Sequence, residues 1–372
     1  MKGKVLIVGG AGFVGSHTAD ALLDQGYSVA IYDNLSEQVH RGEFPGYLSS
    51  EVEFVAGDVR DLESLARAVK SADVIYHLAA AVGVGQSMYQ IADYTATNVQ
   101  GTANLLQAII DTRSTPAKLI VASSMSIYGE GRFLCSDCGA VAPRARALEQ
   151  LKQKHWEILC PQCGATALPA PTDEDKPLQC TSIYALSKKA QEEMALVFGA
   201  TYNIPTVALR YFNIYGPRQA LSNPYTGVAA IFASRLMNGK SPMIFEDGLQ
   251  LRDFVNVRDI VQANLLAMES SGADGAALNV GSGKPVSIRE VAMEIASLLG
   301  VQMPLEITGT YRAGDIRHCY GDISKISKQL GYVPKVSFRQ GMTELVEWLE
   351  SQEAHDHTEE AFKDLAARGL VA

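Results

Sequence analysis

Hydrophobic residues in the first half of the chain come in short unbroken runs. They are Lys4-Val-Leu-Ile-Val-Gly9, Ser28-Val-Ala-Ile-Tyr-Asp33, Val52-Glu-Phe-Val-Ala-Gly-Asp58, Asp73-Val-Ile-Tyr-His-Leu-Ala-Ala80 and Lys118-Leu-Ile-Val-Ala-Ser-Ser124. Runs with so little period-two alternation suit strands covered on both faces. Between them lie amphipathic segments of ten or more residues, long enough to cross back over a sheet as helices. The pattern predicts an α/β fold with a doubly wound parallel sheet. Thr206-Val-Ala-Leu-Arg210 reads as another such strand. Beyond it the elements shorten and Gly and Pro become frequent, in loops such as Asn223-Pro-Tyr-Thr-Gly227 and Gly281-Ser-Gly-Lys-Pro285, so a second, smaller lobe is expected there. No repeat of solenoid period occurs. The tail, 351–372, is polar with Phe362 and Leu365 as its main apolar anchors, and reads as a docked or frayed helix.

The length of 372 residues exceeds what one core usually accommodates, which agrees with two lobes. At 47% hydrophobic and 20% charged, the chain can bury a core, and disorder is excluded. The formal charge of −9 disfavours broad contact with nucleic acid or anionic lipid, so any phosphate must be held locally. No apolar run reaches the ~18 to 20 residues of a membrane span, and the first ten residues read as a strand entering a glycine turn rather than a signal peptide. A cytoplasmic protein is expected.

Gly9-Gly-Ala-Gly12-Phe-Val-Gly15 follows the first strand and opens a helical pattern. In that context glycines let backbone approach a pyrophosphate at a helix N-terminus, so Gly9, Gly12, Phe13, Val14 and Gly15 are candidate cofactor contacts. Asp33 ends the second strand 18 positions beyond Gly15, where a carboxylate accepts ribose hydroxyls and repels a 2′-phosphate. NAD is therefore expected over NADP.

Tyr184-Ala-Leu-Ser-Lys188 places a phenol and an ammonium on one helix face. A phenol titrating near ~10 needs a neighbouring cation to act as a base near neutrality, and Lys188 supplies one. Ser123-Ser-Met-Ser-Ile-Tyr-Gly129 ends the fifth strand, at the carboxyl edge where ligands of such sheets sit. Together these segments are a candidate proton relay.

With these motifs in order over residues 1–131 and 172–350, the chain resembles the extended short-chain dehydrogenase/reductases, and among them the NAD-dependent nucleotide-sugar 4-epimerases. The resemblance implies Tyr184 as catalytic base, Lys188 as ribose ligand lowering the phenol's pKa, and Ser124 as relay. It also implies that Asp58 and Val59 flank adenine, that Leu78, Ala79 and Ala80 line the cofactor cleft, and that Asn34, Asn98 and Tyr211 complete the cofactor site. On the substrate side it implies that Ser126 contacts the hexose and Asn213 the diphosphate. The segments Arg252-Asp-Phe-Val255 and Arg312-Ala-Gly-Asp315 would grip phosphate and ribose, through Arg252, Arg312 and Asp315. The implied chemistry is transient oxidation at C4 to a 4-keto sugar and re-reduction from the opposite face. Related 4,6-dehydratases and sugar-acid decarboxylases carry acids just after the catalytic Ser or Thr. Met125, Ser126 and Ile127 stand there, with Glu130 beyond the usual position, so epimerisation is preferred. The substrate is expected to be a UDP- or dTDP-linked sugar, and the helices 98–111 and 184–202 would pair in a homodimer. The rivals are a 4,6-dehydratase, a non-catalytic NAD sensor, and a nucleic-acid adaptor.

Between Ser124 and Tyr184 lie 59 residues, more than this family normally uses. The excess holds Cys135-Ser-Asp-Cys138-Gly139 and Cys160-Pro-Gln-Cys163-Gly164. Two such knuckles suit four thiolates around a structural zinc, with each Gly permitting the tight turn, while a redox disulfide pair or free thiols are the alternatives. Four thiolates leave no open coordination position for catalysis. Over 132–171 the charges nearly cancel once the metal site is included, so a phosphate-tracking surface is not expected. A ribbon that caps the substrate entrance or supports a subunit contact is. Cys180 and Cys319 read as buried or half-buried thiols and His77 as a satisfied core residue. The expected division is an NAD-binding domain (1–131, 172–212 and 253–281), a zinc-ribbon insertion (132–171), a sugar-nucleotide lobe (213–252 and 282–350) and the tail (351–372).

Overall fold

The computed structural model describes residues 2–40, 42–220, 227–312, 314–350, 352 and 358–371. Residues 223–226 of the expected Asn223–Gly227 loop, and Ala313 between Arg312 and Gly314, lie outside the described residues. Seven strands form one sheet: β1 Lys4–Val8, β2 Ser28–Asp33, β3 Glu53–Ala56, β4 Val74–His77, β5 Lys118–Ser124, β6 Thr206–Tyr211 and β7 Ala277–Val280. Their order is β3-β2-β1-β4-β5-β6-β7, and every neighbouring pair is parallel. The six expected strands appear within a few residues of their apolar runs. The short run Ala277-Leu-Asn-Val280 was not singled out in the sequence; it is held in register by β6, from Ala277↔Ala208 to Val280↔Tyr211.

Helices cover both faces, which is why the strands are apolar on both. One face packs against Ala19 and Leu22 of the Phe13–Asp24 helix, Ile260, Ala263 and Ala267 of Val257–Glu269, and Ile326 and Leu330 of Ser324–Leu330. The other packs against Leu65 and Val69 of Leu62–Val69, Leu105 and Ile109 of Gly101–Asp111, and Ala195 and Phe198 of Ile183–Tyr202. Because β2 and β4 flank β1, the winding reverses there, and the carboxyl ends of β1 and β4 open a crevice.

A second core gathers Phe232, Leu236, Ile244, Phe254, Ile295, Met342 and Leu345. Three helices, Val228–Met237, Ile288–Leu298 and Phe338–Glu350, surround it together with a small sheet of Asn213–Tyr215, Leu251–Asn256, Pro285–Ser287 and His318–Cys319. Ile288–Leu298 starts at a reciprocal capping box between Ser287 and Glu290.

The insertion folds as a three-stranded antiparallel sheet of Arg132–Cys135, Gly139–Val141 and Leu168–Ala170. It has its own small core of Phe133, Val141, Ile158 and Ala167. In the tail, the Thr358–Ala367 helix docks, with the Phe362 ring stacked on Phe245 at 6.1 Å and Leu365 buried. Among the described residues, no helix is long and apolar enough to cross a membrane.

Candidate active site

Three glycines of the turn after β1 are required by packing. Gly9 has φ +83°, and a Cβ there would lie 2.5 Å from Ala79 N. At Gly10 a Cβ would lie 2.8 Å from the Ile31 side chain, and at Gly15 2.4 Å from Gly9 O. Gly12 differs. Its φ of −70° suits any residue, and a Cβ would meet only Gly9 O, at 3.5 Å. Gly12 is the N-cap of the Phe13–Asp24 helix, which has no side-chain cap and no acid in its first turn. The space a side chain would fill therefore lies at an uncapped helix N-terminus, and a bound pyrophosphate fits it. Asp33 holds this turn in shape, with Oδ2 accepting from Ala11 N at 3.0 Å and Oδ1 from Leu35 N at 3.0 Å. Each oxygen keeps further acceptor capacity for a ribose hydroxyl.

Around the same crevice, Asn34 Nδ2 donates to Asp58 at 2.9 Å. The Arg60 guanidinium chelates Asp58 and holds its carboxyl down at about 2. Val59 is buried and its carbonyl accepts from Asn104 Nδ2 at 3.0 Å. Leu78 and Ala79 both donate backbone N–H groups to Val8 O at 2.8 Å, so the Leu78–Ala80 segment leaves β4 alongside the glycine turn.

Ser124 ends β5 and caps the short Met125–Tyr128 turn. Its Oγ accepts from Ser126 N at 3.2 Å and from Ser126 Oγ at 2.9 Å. Tyr184 lies in the first turn of the Ile183–Tyr202 helix, whose N-cap Ser182 accepts from Ala185 N. The Tyr184 backbone N–H is anchored on buried Ser87 Oγ at 3.0 Å. Burial pushes the Tyr184 phenol up, and a hydrogen bond with the Ser124 side chain opposes the shift. One turn on, Lys188 is 2% exposed, and burial drives its ammonium down to about 7 against the pull of Glu192. Its one hydrogen-bond partner among the described residues is Gln191 Oε1 at 2.6 Å. That leaves ammonium hydrogens available to a bound ribose.

Asn98, in the π-helical turn Thr95–Gln100, clamps the loop after β4 to this helix. Its Nδ2 donates to Ala81 O at 3.0 Å and to Ser187 Oγ at 2.9 Å, and its Oδ1 accepts from Ala81 N at 2.7 Å. Thr102 Oγ1 donates to Asn98 O at 2.6 Å, so it must accept from His77 Nε2 at 2.9 Å. This assigns the neutral tautomer with Nε2–H. Burial holds His77 down at about 3, and Nδ1 has no partner among the described residues. The expectation of a satisfied core histidine holds for one of its two nitrogens.

Of the substrate-side residues, Asn213 has a buried Oδ1 without a partner among the described residues. Arg312 has an unpartnered buried Nε and lies over the Phe245 ring at 4.3 Å. Arg252 is more committed than expected. It donates to Leu251 O and Arg317 O at 2.9 Å and to Ile316 O at 2.7 Å, and it lies 3.6 Å from Asp315. Burial lowers the Arg312 pKa, with Asp315 opposing and Arg252 adding to the shift, so the two arginines and Asp315 form one charged group. Tyr211, expected at the cofactor, instead donates its hydroxyl to Asn264 Oδ1 inside the core at 2.6 Å.

The four insertion cysteines bring their sulfurs within 4.8 Å of one another, close to the ~3.8 Å edge of a tetrahedron with ~2.3 Å metal–sulfur bonds. Cys135 and Cys163 are 3.5 Å apart, well beyond the ~2.05 Å of a disulfide. Gly139 and Gly164 take φ of +74° and +78°, the conformation each knuckle turn requires. The donor set and its spacing fit a thiophilic ion. Cys319 is buried and Cys180 half-buried, as expected.

Two ion networks near the site escaped the sequence reading. Glu192 pairs with Arg210 at 2.6 Å and accepts from Ser123 Oγ at 2.5 Å, bracing the end of β5 against the Tyr184 helix. Glu192 lies four residues after Lys188, so its spacing was a legible signal. The second network joins Arg146 and Glu157 of the insertion to Glu246, Asp247 and Arg317. It had no local signal, because its members are distant along the chain.

Comparison with known proteins agrees with this fold. Residues 5–145 and 161–281 match the NAD dependent epimerase/dehydratase family. The chain is 33% identical over 349 residues to a dTDP-L-rhamnose 4-epimerase of Burkholderia thailandensis, covering 93% of this chain and 94% of that one. It superposes with TM-score 0.76 at 30% identity on a UDP-glucose 4-epimerase of Thermotoga maritima solved with UDP-glucose, covering 94% and 99% of the two chains. A Thermus thermophilus UDP-glucose 4-epimerase complexed with NAD superposes at 0.73 and 30% identity, covering 94% and 100%.

Proposed function

The chain belongs to the NAD-dependent epimerase/dehydratase family of enzymes, and from that premise we propose that it is an isomerase inverting C4 of a nucleoside-diphosphate sugar. The substrate is a UDP-hexose or a dTDP-6-deoxyhexose such as dTDP-L-rhamnose. The observation that carries the reading is the placement of Tyr184 in the first turn of the Ile183–Tyr202 helix, one turn from the buried Lys188 ammonium, with Ser124 at the carboxyl end of β5. When bound, NAD supplies the hydride acceptor and donor for C4. Tyr184 takes the C4 hydroxyl proton and later returns one, Ser124 relays it, and Lys188 holds the ribose and favours the phenolate. Asn213, Arg252 and Arg312 hold the diphosphate, with Asp315 orienting the arginines and Ser126 near the hexose. Anchoring the nucleotide while the hexose stays loosely held lets the keto sugar present its other face.

Met125, Ser126 and Ile127 supply no acid for eliminating water. Glu130, the nearest carboxylate along the chain, accepts instead from the backbone N–H groups of Arg317 at 2.7 Å and His318 at 3.2 Å. Epimerisation is therefore preferred to dehydration. Asp33 favours NAD over NADP. The four cysteines hold a structural zinc. The NAD-binding domain takes in Ser324–Leu330, which packs on the large sheet, and the sugar-nucleotide lobe takes in Leu251–Asn256, whose Phe254 lies in the second core. Exposed Leu186, Val197 and Ile110, on the Ile183–Tyr202 and Gly101–Asp111 helices, support a dimer through those helices.

The test is incubation with UDP- and dTDP-hexoses, with C4 configuration read by NMR and a C4-deuterated substrate included. Inversion with the label retained is expected. A 4-keto-6-deoxy product would identify a dehydratase, and full NAD occupancy without turnover a sensor.

A further inference from the structure

The loop between the two cysteine knuckles runs from Gly139 to Leu159, so the four-sulfur cluster closes it at both ends. It projects three groups onto Tyr311, Asp315, Arg317 and His318 of the other lobe. Arg146, 1% exposed at its side chain, donates to Glu246 through both terminal nitrogens at 2.9 and 2.7 Å and reaches the Asp315 carbonyl at 3.3 Å. The Trp156 ring lies 6.4 Å from the Tyr311 ring. Glu157 takes the guanidinium of Arg317 on Oε1 at 2.6 Å and His318 Nε2 on Oε2 at 3.1 Å. Arg317 is fully buried, and its remaining donors go to Glu246 at 3.0 Å and Asp247 at 2.7 Å.

The same stretch of chain carries Arg312 and Asp315, and its Ile316 and Arg317 carbonyls hold the Arg252 guanidinium. The contacts of Arg146, Trp156 and Glu157 thus bear on the segment that carries Arg312 and Asp315 and holds Arg252. Guanidinium placement matters because a bidentate phosphate contact depends on direction as well as charge.

We propose that Arg146 and Glu157 are positioning residues for the diphosphate of the sugar nucleotide: the insertion braces Tyr311 and residues 315–318 and so fixes the two arginines that receive phosphate. The inference rests on the proposed function and deepens it. The insertion's part is binding, so its loss acts on substrate affinity and leaves the Tyr184 chemistry and the cofactor alone.

The experiment uses the full-length, NAD-containing protein. Dissociation constants for UDP and dTDP are measured by titration calorimetry beside KM, kcat and bound NAD, for the wild type, Arg146→Met, Arg146→Lys and Glu157→Gln. Arg146→Met is expected to raise the nucleotide Kd and KM about tenfold or more, with kcat and NAD content near wild type. Arg146→Lys should restore part of the affinity. Glu157→Gln keeps its shape on a half-exposed side chain, so it should fold even where Arg146→Met does not, and should weaken nucleotide binding severalfold. Folded variants with wild-type Kd, or a fall in kcat without a change in Kd, would overturn the inference. A wild-type protein that binds neither UDP nor dTDP would instead overturn the proposed function, and this inference with it.

Discussion

Substituting Gly12 by Ala separates a glycine kept for a ligand from glycines kept for the fold. At φ −70° and ψ 178° an alanine is unstrained, and its nearest neighbour, Gly9 O, is at ordinary contact distance, 3.5 Å. Restricting the unfolded chain favours folding by about 0.4–1 kcal/mol. Alanine is a poorer N-cap than glycine by roughly 0.5–1 kcal/mol. The two nearly cancel. At about 2.1 cal/mol/K per residue, 372 residues give an unfolding entropy of roughly 0.8 kcal/mol/K, so the apo Tm should move by less than ~1 °C. Gly9→Ala and Gly15→Ala would set a methyl 2.5 and 2.4 Å from backbone atoms, and should lose several degrees or fail to fold. NAD at about a hundred times its Kd adds about 2.7 kcal/mol to wild-type stability, or ~3 °C. The Gly12 methyl occupies the space assigned to the pyrophosphate, so this shift should vanish in Gly12→Ala. Differential scanning fluorimetry of nucleotide-stripped protein with and without NAD measures both quantities. A variant that keeps the wild-type shift would refute the placement of the cofactor over Gly12.

Tyr184→Phe should retain NAD yet lose about 10²–10⁴-fold in kcat, read by coupled assay beside the absorbance of released nucleotide; substantial turnover would mean another base. Lys188→Met should make the apo protein more stable at pH 7 by a few kcal/mol while weakening NAD binding. With the folded pKa of Lys188 lowered to about 7 from 10.5, its penalty is absent above the unfolded pKa, grows as pH falls from there to 7, and is constant below. The Tm gain of the variant should therefore shrink between pH 7 and pH 10, and a pH-independent gain would exclude titration of Lys188 as its cause. Cys138→Ser should lower the zinc content of the purified protein from one ion per chain, measured by metal analysis after mild denaturation, and should loosen the insertion as judged by proteolysis. Equal zinc in both proteins would remove the four-thiolate assignment.

Strand positions, the glycine turn, the acid ending β2 and the Tyr184–Lys188 spacing were legible in the sequence, because each is a local property carried by neighbouring residues. Apolar runs bury themselves on both faces wherever helices can cover them, and a four-residue spacing sets two side chains on one helix face in any surroundings. Only the tertiary structure decided the rest. It separated Gly12 from Gly9 and Gly15, since that distinction depends on what lies across the turn. It committed Arg252 to three carbonyls and left Nδ1 of His77 without a partner among the described residues. It also joined Arg146 to Glu246, and Glu157 to Arg317, across 100 and 160 positions. Pairs so far apart leave no periodic trace along the chain. They form because a buried charge must find its opposite wherever the fold brings the two together.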